Sequence, residues 1–338
     1  VTMTSARRRD TDRAAREERT GQVWIDRGER YGLIVAWLAV IAIFGAIRPE
    51  VFLSWANFST IFGSQAVLVV VTLSLIIPLT AGDYDLSVAS VLTTCSMLVA
   101  VLNVTHGWPI EAAILTALLV GLLVGAANAA IILYFRIHSL IVTLGMGTFI
   151  HGVTLWFSDS QTISGIDSKL ITAVIATRLF GIPLAFYYAL IVALVIWYVF
   201  GHTAIGQRLL FVGRGREVAR LSGIKVDRVR FAALVASAGL GGVAGILYAG
   251  TTGAADPSSG LTYLLPAFAA AFLGATSIVP GRFNAIGSVV AVYFLVTGIT
   301  GLSILGVSTY VQDLFYGAAL IVAVALSQLV RGREERLT

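Results

Sequence analysis

The chain has 338 residues, 57% hydrophobic and only 12% charged, with a formal net charge of +5 and a mean hydropathy of +0.89. Soluble globular chains are nearer half apolar and a quarter charged, so a soluble enzyme or nucleic-acid-binding domain is excluded and an all-α polytopic membrane protein is implied. The one cysteine, Cys95, lies in an apolar run and has no partner for a disulfide; it reads as a small buried hydrophobe.

In chain order, residues 1–30 come first, with eight arginines and six acids and no long apolar run. They predict a charged, soluble cytoplasmic tail; no apolar region falls within signal-peptide length of the start and no small-residue cleavage site appears. A membrane-crossing helix needs about 20 apolar residues. Ten such spans are predicted, at 31–47, 61–80, 86–104, 110–134, 140–157, 182–200, 231–250, 262–278, 284–304 and 310–330. The transmembrane domain thus covers 31–330, and a short cytoplasmic tail follows at 331–338. The eighth span carries Pro266 and many small residues, so it is expected to be re-entrant or broken. Gly121, Gly125, Gly145, Gly147 and the run 239–245 are expected to let helices pack closely.

Charge asymmetry orients the spans. With the N-terminus inside, the cytoplasmic segments hold twenty Lys/Arg and the external ones only Arg48, Lys169 and Arg178. Both termini are then cytoplasmic, 158–181 is an external polar loop, and 201–230 is a long, basic internal loop.

Within that loop, Val218, Leu221 and Ile224 recur every third residue beside Glu217 and Arg220, and Gly223 is a plausible helix stop. A short amphipathic helix at this place lies on the inner membrane surface or docks into a cytoplasmic partner.

The stretch TAGDYDLSVAS, residues 80–90, puts Asp83 and Asp85 between two uncharged spans. Asp85 is expected to cap the third span by accepting N–H groups around Ser87 and Val88. Asp83 has no such role and is the expected functional acid, bonding across an inner gate or to Arg136. Glu111 and Asp313 open the fourth and tenth spans, where a carboxylate suits the helix dipole.

Catalytic motifs are missing. The chain has two lysines, Lys169 and Lys225, neither after a glycine, so it has no P-loop and no ATPase of its own. No cysteine pair exists for a metal, no metal site is expected, and the four histidines are scattered; His151, inside the fifth span, is expected to be packed and hydrogen-bonded. Secondary transporters carry ionisable groups deep in their spans. Here the span centres are uncharged, which favours a transporter with an external energy source.

Four segments carry a resemblance. VARLSGIKVDRVR resembles the cytoplasmic loop of permease subunits of ABC importers for sugars, of the ribose, xylose, arabinose and galactoside type. TAGDYDLSVASV, LIVTLGMGTFIHGVTL and AAFLGATSIVPGRFNAIGSVVAVYFL resemble three further motifs of that family, in family order between about 60 and 330. Gly82-Asp83-Tyr84, Gly213-Arg214-Gly215-Arg216, His138-Ser139 and Pro266-Ala267-Phe268 depart from the family pattern.

The resemblance implies about ten helices in inverted repeats, no cofactor in this chain, and ATP with Mg on a partner. The implied partners are membrane lipid, a second permease subunit, two ABC ATPase subunits and an extracytoplasmic sugar-binding protein. Arg216, Glu217, Val218, Arg220, Leu221, Ser222, Gly223 and Ile224 would couple to the ATPase. Val218, Leu221 and Ile224 would fill its groove, with Arg216 and Arg220 at the rim. A sugar pathway would be polar and uncharged, with Ser74, Ser90, Asn128 and Thr143 as candidate lining and Asp83, Asp85 and Ser87 at the gate. The alternatives are an ion-coupled sugar transporter using Asp83 or Asp85 as relay, and a scaffold or receptor subunit that moves nothing.

Overall fold

The computed structural model describes residues 30–308 and 310–337. Apart from Arg30, the predicted N-terminal tail lies outside the described residues. The first predicted span is α1, Arg30–Ile47, and a single turn, α2 (Pro49–Phe52), follows it. The second span is two helices, α3 (Trp55–Ser64) and α4 (Ala66–Thr80), bent by 41°. Ser54 caps α3 by accepting the Asn57 N–H. The bend has a packing reason: α3 leans on an external hairpin, where Ser59 Oγ donates to Gly181 O at 2.6 Å, while α4 plunges into the core.

α4 is buried on nearly every side, so it needs no polar face. Its hydroxyls are spent within the helix: Thr72 on Leu68 O, Ser74 on Val71 O and Thr80 on Ile76 O. The third span is α5 (Val88–Ala100), which ends in a π-helical turn, Val101–Thr105. α6 (Ile110–Phe135) and α7 (Ser139–Phe157) match the fourth and fifth spans.

The segment predicted as an external polar loop is folded. It contains β1 (Ile163–Ser164), α8 (Ser168–Ile171), a π-helical turn at Thr172–Ala176, β2 (Arg178–Leu179) and β3 (Ile182–Pro183). Its Ile166, Leu170 and Val174 are buried. Their spacing of four is a helical apolar stripe, hidden among polar neighbours.

The remaining helices are α9 (Leu184–His202), α10 (Ala204–Arg214), α11 (Arg216–Leu221), α12 (Val226–Thr252), α13 (Leu261–Gly274), α14 (Ala285–Ile304) and α15 (Tyr310–Leu337), with β4 at Ala254–Ala255. α12 begins five residues before the predicted seventh span. α15 runs through the predicted boundary at 331. α13 has only 14 residues and contains Pro266, short of the length a full crossing requires, in line with a broken eighth span. Among the described residues, seven helices are long and apolar enough to cross a membrane, or eight if the bent pair is one span.

α4, α5, α12, α13 and α14 form the interior, whereas α6, α7 and α9 turn large apolar side chains such as Leu123, Ile141, Phe149 and Ile191 outward, as lipid contact requires. α12 packs against α5 and α6 because small residues permit it. A side chain at Gly125 would strike Ala238 Cβ and Val235 Cα, and one at Gly245 would strike Leu92 O. Gly145 differs, with nothing within 4 Å. Cys95 is buried, its Sγ 3.1 Å from Ala117 O. His151 is half-buried and its ring, among the described residues, makes no hydrogen bond.

The predicted sides agree with the contacts. β1 pairs antiparallel with β4, and the Asp167 N–H meets Asn103 Oδ1 at 2.9 Å, joining three segments expected outside. Residues 81–83, 136–139 and 212–230 share one cavity, joining three expected inside.

Candidate functional site

The site is built on the break between α4 and α5. Pro78 lies near the end of α4, and its carbonyl accepts the N–H groups of Ala81 and Asp83. Gly82 follows at φ +77°. Residues 81–87 are then non-helical, so their backbone groups need partners inside a membrane protein. α7 supplies them: Ser139 Oγ accepts the Tyr84 N–H at 3.0 Å and Thr143 Oγ1 accepts the Leu86 N–H at 3.1 Å. The Thr143 hydroxyl in turn donates to Ser139 O. Thr143 is therefore committed to holding the break.

Asp83 is buried and takes two arginines. Arg230 Nε donates to Oδ2 at 2.6 Å and its Nη2 to Oδ1 at 2.8 Å, a two-pronged contact. Arg216 Nη2 donates to Oδ1 at 3.0 Å and to Gly82 O at 2.9 Å. The expected bond to Arg136 is not made. Arg136 lines the same cavity, of about 590 Å³, with His138, Glu217, Arg220 and Asp227. Arg230 ends the segment VARLSGIKVDRVR but was given no role of its own, and placing it in a loop hid that it stands on the first turns of α12. Arg216 also differs from expectation: it turns inward to Asp83 instead of standing at a docking rim.

Asp85 has no cation. Its Oδ1 accepts from the Ser87 hydroxyl at 2.6 Å and the Ser87 N–H at 3.1 Å. The expected bond from Ser87 is present, but α5 starts only at Val88, so Asp85 sits before the cap position. Asn128 of α6, fully buried, donates Nδ2 to Ser87 Oγ at 2.8 Å; it bridges helices. Ser237 of α12 approaches the same carboxyl. Burial pushes the Asp85 carboxyl above the ordinary carboxylate range, against the opposite pull of the Ser87 hydrogen bonds and the nearby Ser237 hydroxyl.

The other predicted pathway residues are not brought together. Ser74 is satisfied within α4, and Ser90 is buried on α5 near Gly147 of α7. The cavity at Asp83 is lined by neither of them, nor by Asn128 or Thr143.

The loop helix α11 is short. Arg216 opens it, Glu217 lies in its first turn and Ser222 caps its end; Gly223 follows at φ +82°, the left-handed turn that stops a helix. Leu221 is 88% exposed and Val218 59%. Ile224 lies past the stop and packs inward beside Val212, Ala219 and Val226, so it does not share the exposed face. Arg220 lies 3.9 Å from Glu217 and 3.7 Å from Asp227.

The family described as branched-chain amino acid transport system, permease component, matches residues 57–324. The D-allose transport system permease protein of Escherichia coli (strain K12) is 31% identical over 89% of this chain and 92% of its own. The ribose import permease protein of Haemophilus influenzae is 27% identical over 86% of this chain and 90% of its own. The autoinducer 2 import system permease protein of Photorhabdus laumondii is 30% identical over 88% and 91%. No solved structure matches significantly. With a broken-helix core, its charge network at the expected cytoplasmic end and a match across most of its length, the chain belongs to this family of multi-pass membrane permease components of transport systems.

Proposed function

We propose that this chain is the pathway-forming subunit of a bacterial inner-membrane ABC importer for a sugar or sugar-like solute, driven by ATP hydrolysis on a separate subunit. The relatives named above import D-allose, ribose and autoinducer 2, which supports a neutral, hydroxyl-rich substrate. Because Ser74, Asn128 and Thr143 are spent on internal hydrogen bonds, the polar path lies between this subunit and a second permease. A binding protein outside delivers the solute.

The observation that carries the coupling is the exposure of Leu221 and Val218 on α11, next to a helix break. Leu221 is nearly bare, as a knob for a partner's groove is before docking. α11 begins at Arg216, which holds Asp83 and Gly82 O; Asp83 in turn holds Arg230 on α12. An ATPase that pushes α11 therefore moves the α4–α5 break and α12 together. Leu221→Asp should leave the permease folded but remove substrate-stimulated ATP hydrolysis and uptake in proteoliposomes containing the ATPase and loaded binding protein. Full stimulation in that variant would refute the docking role.

A further inference from the structure

The polar cluster under the helix break is one donor short. Three fully buried atoms in it have no hydrogen-bond partner: Asp85 Oδ2, Asn128 Oδ1 and Ser237 Oγ. Asn128 and Asp85 are tied through one hydroxyl, that of Ser87, which receives from the amide and donates to the carboxylate. Ser237 approaches the same carboxyl from α12. With the carboxylate ionised, the Ser237 O–H can serve Oδ2, but then Asn128 Oδ1 has no donor. The amide's own protons point the other way, toward Ser87. Buried polar groups in native proteins are rarely left in this state.

Charge gives the same answer. A buried carboxylate is kept ionised by a nearby cation or by several N–H donors. Asp85 has the N–H of Ser87, with the Val88 N–H also close to it, and hydroxyls, but no guanidinium or ammonium. Its own segment supplies Asp83, an anion, and Tyr84, which brings no positive charge, and the two guanidiniums that reach this segment, Arg216 and Arg230, are both bound to Asp83. α6 and α12 present Asn128 and Ser237, which are neutral. Among the described residues no cation faces Asp85.

We infer that Asp85 is a proton-binding site: in the folded protein the carboxyl is neutral, with a proton on Oδ2. The proton supplies the missing donor. Oδ2–H donates to Asn128 Oδ1, and the Ser237 O–H donates to Oδ2, so one proton satisfies all three orphaned atoms. No bond other than this O–H is formed, and the proton comes from solvent as the chain folds. The site would then be a neutral clamp joining the start of α5 to α6 and α12, one residue from a fully charged one.

Infrared difference spectra of the assembled transporter in lipid nanodiscs test this. Wild type minus Asp85→Asn at neutral pH should show the carbonyl stretch of a protonated carboxylic acid, shifted in deuterium oxide. Wild type minus Asp83→Asn should lack it. If Asp85→Asn removes only a carboxylate band, Asp85 is ionised and a water or cation fills the gap, which overturns the inference. Stability gives an independent readout. A raised folded-state pKa means that the stabilisation from this group is full below the ordinary carboxylate range and is lost as pH rises through the folded value. Wild type should therefore lose melting temperature on alkalinisation more steeply than Asp85→Asn. Equal slopes, or slopes in the reverse order, would also overturn it.

Discussion

Asp83 and Asp85 are one residue apart and equally buried, yet they occupy opposite electrostatic settings. Asp83 faces the cavity lined by Arg136, His138 and α11 and is held by two guanidiniums from α11 and α12. Asp85 faces the interior of the helix packing and takes the hydroxyl and N–H of Ser87, which in turn accepts from Asn128. Residues 83–85 are non-helical and lie between turns at 81–82 and 86–87, and the two carboxyls reach partners on different helices. The lesson is that burial alone does not define an acid. A charged acid at this depth is a link between moving elements, because its partners sit on separate segments. An acid without a cation is a packing element.

The largest effect should come from Arg230→Ala. It leaves a buried carboxylate with one half-exposed partner, and removing one side of a buried pair costs about 3–5 kcal/mol. The melting temperature of the purified permease should fall sharply, and Asp83→Asn on that background should recover part of the loss. If Arg230→Ala is silent, the contrast between the two acids collapses. Arg216→Ala should cost less, about 1 kcal/mol, because that guanidinium is 41% exposed and water replaces part of what is lost. Its transport defect should exceed its stability defect, since it ties α11 to the break; comparing uptake with melting checks this. The smallest effect is expected from Lys169→Gln. Its 3.7 Å contact to Glu111 is largely in water, so the melting temperature should shift by no more than about 0.5 kcal/mol equivalent.

Much of the fold was legible in the sequence. All ten predicted spans are helical, because long uncharged runs in lipid have few other ways to satisfy their backbones. The helix stop at Gly223 and the burial of Asn128 were legible for equally local reasons. The bend between α3 and α4 was not, since the apolar run passes through it without a marker. The buried stripe of Ile166, Leu170 and Val174 was obscured by polar neighbours. Ile224 matched the periodicity of Val218 and Leu221, but the chain turns at Gly223 before reaching it, so the repeat ends one residue type too early.

The sequence by itself determined that the chain crosses a membrane many times and which family it resembles. These depend on composition, charge counts and local motifs, all of which are additive along the chain. Only the tertiary structure decided which arginines meet Asp83, that Arg136 does not, and that Asp85 is left with Ser87, Asn128 and Ser237. Those partners lie 2 to 152 positions away. Pairing across such separations is set by how helices pack and where they break, and no local pattern records it.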